Sequence, residues 1–296
     1  MAIKSQPECI PCMVAVRTRE ILSSSLSPEA KVSAQIRILD RYLELLRKDA
    51  PNVTIATELF REVKRLIGQE NPYKTVKDLM NRVALQLLPS FEAKVYGFKD
   101  EIERFRAACA ASIAGNIFDV GVLGHSYAKE TSTEPGSIEL PILTIDKTAE
   151  IRKRLLESPR VLYLCDNAGE IAFDKILVKE IQNLGAKVTV VVKGGYYQND
   201  ATMEDALAVG MDKVADELIT TGTDASGLDL EEVSEEFRQR LDESQFVLLK
   251  GMAYYESHGE FKAKTGKPLA TLLAAKCDPI ARFLKVRKGD SVALLI

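Results

Sequence analysis

From Pro7 to about Tyr127, apolar positions recur every three or four residues, the period of helices that bury one stripe. Ser27-Pro28-Glu29 reads as a helix start, with Ser27 as N-cap and Pro28 at the first helical position. Val32, Ile36, Leu39, Leu43 and Leu46 follow on one face, which is expected to be the buried one. Pro51-Asn52 ends that helix, and Asn52 or Thr54 can cap the next, which carries Leu59, Val63, Leu66 and Ile67 before Gly68. Asn71-Pro72 marks another turn, ahead of a helix through Val76, Leu79, Val83 and Leu87. Phe105 to Ile117 is Ala-rich and apolar, as in a helix packed closely against others. With no strand pattern and no internal repeat, this half predicts a helical bundle or cap.

The pattern changes after Thr131 to Glu139, a run of Ser, Thr, Glu, Pro and Gly that reads as a boundary. We therefore expect a helical domain over 1–135 and a second domain over 136–296. Asp146 is expected to cap a helix through Ile151 and Leu155. Val161–Cys165 is the first clear strand, followed by a helix over Phe173–Leu184. Lys187–Val192 is β-branched and strand-like, and Asn199-Asp200-Ala201-Thr202 opens a helix through Met203, Ala206 and Val209. Glu217–Thr221, Phe246–Leu249, Thr271–Ala275 and Val292–Ile296 read as further strands. An acidic helix over Leu230–Leu241 and a short one from Pro279 to Leu284 lie between some of them. Strands alternating with helices predict an α/β class with a mostly parallel sheet and helices on both faces.

Composition narrows the function. A net charge of -3 over 296 residues leaves no basic footprint for nucleic acid. No apolar run approaches the roughly 20 residues of a membrane helix. The start, MAIKSQPECIPC, has no apolar signal core, so a cytoplasmic protein is expected. Five Cys in no regular framework fit a reducing compartment. Two His, His125 and His258, exclude a site built on several imidazoles. There is no GxGxxG after a strand, no GxxxxGK[ST] and no GxSxG.

Chemistry gathers at the strand ends. Asp166-Asn167-Ala168-Gly169-Glu170 follows the first strand and turns straight into a helix, which is where open α/β sheets build ligand sites. Asp166 and Asn167 can simply cap that helix, but capping needs one such residue. Two, with a Glu three positions on, favour a hard divalent cation. Lys193-Gly194-Gly195 and Asp200 follow the next strand, Thr220-Thr221-Gly222-Thr223 another, and Lys250-Gly251 a fourth. Oxygen donors, two lysines and Gly-rich turns on one edge are the parts needed to bind and cleave a phosphate ester. Two features stand apart. Cys9-Ile10-Pro11-Cys12 can be a redox couple or half a zinc site, with structural or accessory use favoured because no second pair exists. Gly115-Asn116-Ile117-Phe118-Asp119 reads, on its own, as an ordinary helix end.

With these motifs in hand, the sequence resembles the damage-control phosphatase family. The matching residues are Asp166-Asn167-Ala168-Gly169-Glu170 with Phe173-Asp174, Asn199-Asp200-Ala201-Thr202, Thr221-Gly222-Thr223, Lys250-Gly251-Met252-Ala253 with Glu256, and Ala275-Lys276-Cys277. Gly115 to Asp119 also matches, and Cys9-x-x-Cys12 looks like the prokaryotic, especially archaeal, branch. The resemblance implies an N-terminal helical domain joined to a Rossmann-like α/β/α domain. It implies metal-dependent hydrolysis of small phosphorylated metabolites, including sugar phosphates, with magnesium, manganese, cobalt or nickel. It puts metal ligands on Asp166, Asn167 and Asp200, and phosphate contacts on Lys250, with Asn116 and Asp119 reaching in from the helical domain. Glu170 becomes a base candidate beside the metal pair, and Asp166 is a candidate nucleophile, with direct attack by water left open. Lys193 and Glu256 flank the expected substrate pocket. There the chain departs from relatives, at Lys193-Gly194-Gly195-Tyr196-Tyr197 and Tyr254-Tyr255-Glu256, which bears on substrate identity. A non-catalytic metabolite or nucleotide sensor using the same edge is the alternative.

Overall fold

The computed structural model describes residues 3–115 and 139–296. Five helices come first: α1 (Cys9–Leu22), α2 (Pro28–Arg47), α3 (Asn52–Ile67), α4 (Lys74–Tyr96) and α5 (Glu101–Ala114). Ser27 caps α2 as expected, its Oγ accepting from the Ala30 amide at 3.2 Å. The buried face of α2 is not the expected one. Ala34, Ile38, Tyr42 and Leu45 enter the core, while Val32, Ile36, Leu39 and Leu43 are exposed. Both stripes recur at helical spacing, so periodicity alone could not choose between them. Neither expected cap of α3 acts as one. Pro51 holds the N-cap position and offers no side-chain acceptor, and the side-chain Nδ2 of Asn52 instead donates to Glu256 Oε2 at 2.8 Å.

The α/β part follows the order β1 (Leu143–Asp146), α6 (Thr148–Leu156), β2 (Arg160–Leu164), α7 (Glu170–Asn183), β3 (Lys187–Val192), α8 (Met203–Ala208), β4 (Glu217–Thr220), α9 (Glu235–Glu243), β5 (Phe246–Lys250), α10 (Met252–Thr265), β6 (Leu269–Ala274), α11 (Asp278–Leu284) and β7 (Ser291–Leu295). The sheet runs β1-β7-β6-β5-β2-β3-β4. From β6 to β4 every pairing is parallel; β7 runs antiparallel to β6 and pairs parallel with β1. β1 precedes the strand read as the first. Asp146 closes it while its Oδ1 accepts from the Thr148 amide at 3.0 Å, so the capping contact exists although the residue belongs to the strand. The acidic helix is also shorter than expected, because Ser234 caps it by accepting from the Phe237 amide at 3.1 Å.

Alternation along the strands divides the core. Tyr163, Val188, Val190 and Leu248 pack with residues of α4, α5 and α7 on one face. Leu162, Leu164, Val191 and Val247 pack with Phe237 and Leu241 of α9 and Tyr254 and Phe261 of α10 on the other. The result is a mostly parallel sheet between helical layers, the class expected. Two of the five N-terminal helices, α4 and α5, share the sheet's core; α1, α2 and α3 form a cluster of their own, joined by Tyr73 and Tyr197. The expected boundary between 135 and 136 lies outside the described residues.

Candidate active site at the carboxyl edge of the sheet

The loops after β2 and β3 are stitched together by backbone. The Ala168 amide donates to Asn199 O and the Ala201 amide to Asp166 O, both at 2.8 Å, and Asn167 and Asp200 form an antiparallel bridge. This is why residues 33 or 34 apart in sequence meet. Asp166, Asn167 and Asp200 line one cleft of about 150 Å³, together with Asn52, Ser226 and Glu256. Asn167 Nδ2 donates to Asp166 Oδ2 at 2.8 Å and to Glu170 Oε2 at 3.2 Å, and Asn199 Nδ2 donates to Asn167 Oδ1 at 2.9 Å. The amide oxygen of Asn167 is thus held in orientation by a residue the sequence reading used only as part of a motif.

Gly251 is required here for two reasons. Its φ of +84° suits glycine, and a Cβ at this position would lie 2.0 Å from Asp166 Oδ2. The carboxylate of Asp166 rests against the backbone that follows β5. Glu256, on α10, is half-buried in the cleft, and burial pushes its carboxyl up to about 7 against the opposing hydrogen bond from Asn52. The cleft also receives the N-terminal end of α3, represented by Asn52, Val53 and Ala56.

The two lysines do not point where the sequence suggested. Lys250 lies on the same strand face as Leu248 and is fully buried. Its Nζ donates to Glu170 Oε1 at 2.6 Å, Asp174 Oδ1 at 2.7 Å and Ser112 O at 3.0 Å. An ammonium has three hydrogens, so Lys250 has none left for a phosphoryl oxygen in this arrangement. Its charge is held on, since the pull of Asp174 and Glu170 outweighs the burial that disfavours it. Glu170 is fully buried with it, and burial raises its carboxyl pKa against the pull of Lys250. Lys193 is buried too. Its Nζ donates to Ala225 O at 2.6 Å and Gly227 O at 2.7 Å, stands 3.7 Å from Asp200 Oδ2, and lies over the Tyr254 ring. Burial lowers its pKa, with Asp200 and Asp166 opposing. Asn116 and Asp119 lie outside the described residues.

Sequence reading missed the support from α4. Asn81 Oδ1 accepts from the Gly169 amide at 2.7 Å, and its Nδ2 donates to Asp205 Oδ1 at 2.9 Å. Lys77 Nζ pairs with Asp205 Oδ2 at 2.7 Å. Both side chains are buried, so one helix fixes the loop after β2 and the start of α8 together. The signal was a Lys and an Asn four apart on a helix otherwise read for its apolar stripe. Among the described residues no three His, Cys, Asp or Glu side chains converge as a metal cluster. The cleft instead offers two carboxylates and an amide, an all-oxygen set that suits a hard cation. No described helix is long and apolar enough to cross a membrane.

The chain matches the family model of the damage-control phosphatase ARMT1-like domain over residues 5–292. It is similar to a damage-control phosphatase of Archaeoglobus fulgidus, 42% identical over 246 residues that span 83% of each chain. A damage-control phosphatase of Pyrococcus horikoshii is 28% identical across 99% of this chain and 98% of its own. The crystal structure of a DUF89 family protein from Pyrococcus horikoshii superposes with a TM-score of 0.83 at 27% identity, covering 99% of both chains.

Proposed function

Because the chain belongs to the damage-control phosphatase ARMT1-like family, we propose that it hydrolyses phosphate monoesters of small metabolites in the cleft between β2, β3 and α10. Asp166, Asn167 and Asp200 would hold a divalent cation of the magnesium, manganese, cobalt or nickel group. The observation that carries this reading is their meeting in one cleft, with Gly251 leaving room for the Asp166 carboxylate. When bound, such a cation neutralises phosphoryl oxygens.

The protein's own groups divide the remaining work. Val53 lies in the first turn of α3, whose amide dipoles favour an anionic phosphoryl group at the cleft. Asp166 is the nucleophile or orients the attacking water. Glu256, with its carboxyl near neutrality, is matched to giving a proton to the leaving alkoxide oxygen. Glu170, Asp174 and Lys250 form a buried network that holds the start of α7, and Lys193 holds Asp200. In this reading both lysines are positioning residues, and Glu170 acts through its hydrogen bond with Asn167.

The test is release of inorganic phosphate from an aryl phosphate and a panel of sugar phosphates, with each cation supplied in turn. Turnover with at least one cation, lost in Asp166→Asn, is expected. Absence of turnover with every cation, or its survival in that variant, overturns the reading; ligand-induced thermal stabilisation without turnover would favour the sensor alternative. Rapid quench with labelled substrate separates the two routes, since only nucleophilic attack by Asp166 leaves label on the protein.

A further inference from the structure

Helix α2 carries two apolar stripes, and only one is used inside the protomer. Ala34, Ile38, Tyr42 and Leu45 pack against α1 and α3. On the other face Val32 is 58% exposed, Ile36 54%, Leu39 43% and Leu43 48%. Single exposed apolar residues are ordinary, but four large aliphatic side chains in one row mark an interaction surface. Their spacing identifies what covers it. The steps are four, three and four residues, the alternation of a seam between two helices. That order reads the same from either end. A second α2 turned end for end therefore sets Val32 against Leu43 of the partner subunit, and Ile36 against Leu39 of the partner subunit. A two-fold interface uses one patch twice in this way.

The charges beside the stripe select the same arrangement. Glu29 and Arg47 stand 18 residues apart, a whole number of helical turns, so both lie on one edge of the row. In the end-for-end pair, Glu29 meets Arg47 of the partner subunit at both ends of the seam. Two helices running in the same direction would instead oppose like charges at both ends. Arg37, Arg41 and Glu44 are engaged within the protomer, with Glu62, Glu58 and Lys48. Arg47 has no ion-pair partner among the described residues. The antiparallel pair also sets the positive end of one helix dipole beside the negative end of the other. We propose that the chain forms a two-fold dimer through antiparallel α2 helices, with Val32, Ile36, Leu39 and Leu43 at its centre. One helix from each copy makes an interface at the small end of the stable range, so the dissociation constant should be on the order of micromolar.

The experiment is sedimentation velocity on the full chain across a concentration series spanning the micromolar range. The mass should rise from that of one chain to that of two. Ile36→Gln and Leu39→Gln, each felt twice in a two-fold seam, should weaken association by roughly tenfold or more. Below the micromolar range the chains are separate, so these changes act on association and not on the fold of the protomer. A charge arm reads the direction of the helices. Glu29→Arg alone and Arg47→Glu alone should each weaken the dimer about threefold to tenfold. The double reversal, Glu29→Arg with Arg47→Glu, should restore it, because each new arginine again meets a glutamate across the seam. That recovery also shows that neither single change had merely unfolded α2. A wild-type chain that stays single throughout, or a dimer indifferent to Ile36→Gln and Leu39→Gln, would overturn the proposal. A double reversal no tighter than either single one would overturn the antiparallel arrangement. Activity plays no part in these measurements, so this proposal and the phosphatase reading fail separately.

Discussion

The tips of β2 and β5 are neighbours in the sheet and have opposite fates. Past the end of β2, the chain leaves the ladder and turns Asp166 and Asn167 into the cleft. At the end of β5, Lys250 is still paired within the sheet, and strand alternation sends its side chain inward among Glu170, Asp174 and Ser112. One residue of register separates a group that can meet a ligand from one that orders the interior. Chemistry at a strand end therefore depends on whether the residue still pairs within the ladder or lies past it.

The comparison is broken most directly at its two poles. Asp166→Asn is expected to lower kcat on the order of 10³-fold, while shifting stability by no more than about 1 kcal/mol. Lys250→Met should do the reverse in kind. It leaves two buried carboxylates facing each other, so urea denaturation should show a loss of about 3–5 kcal/mol. If Lys250→Met is as stable as wild type and only loses activity, Lys250 belongs to the cleft after all.

Gly251→Ala probes the seam between the tips. The left-handed backbone alone should cost about 1–3 kcal/mol, and the added methyl must displace the Asp166 carboxylate. Activity measured on the folded fraction should fall further than stability does. An alanine variant with wild-type turnover would show that Asp166 has room to spare.

Glu256 sharpens the picture through pH. Its folded pKa, up at about 7, lies above its ordinary value of 4.5. The folded chain therefore keeps a proton that the unfolded chain has released, and stability falls as pH rises through that window. The fall should be on the order of 1–3 kcal/mol between pH 4.5 and 7 and should vanish in Glu256→Gln. In kcat, the same substitution should remove the loss of activity above neutrality. The smallest effect is expected on α2, where Ile36→Gln on the exposed stripe should change stability by less than about 0.5 kcal/mol. Ile38→Ala, on the buried stripe, should cost about 2–5 kcal/mol.

Much of this was legible in the residue order. Val161 to Leu164, Lys187 to Val192 and Phe246 to Leu249 are strands because β-branched and apolar runs of that length bury on both faces of a parallel sheet. Asp166, Asn167 and Asp200 stood out because acid and amide directly after such runs fall at the edge where these sheets bind ligands. β1 was not legible, since Leu143 to Asp146 is short, half polar and becomes a strand only by pairing with β7. The α2 face was undecided because two apolar stripes share one period. The support from Lys77 and Asn81 stayed hidden because a polar residue on a helix says nothing of its partner until another element is packed against it.

By itself, the sequence determined most element types, though not β1 or α10, together with the mostly parallel α/β class and the oxygen-rich strand ends. These follow from local periodicity and from chain geometry at a strand terminus. Tertiary structure alone decided which way each lysine points, what Asn81 holds, and that Cys277 lines one cavity with Cys9 and Cys12. Those outcomes depend on register and on contacts between residues many tens of positions apart, and no local pattern encodes a distance across the fold.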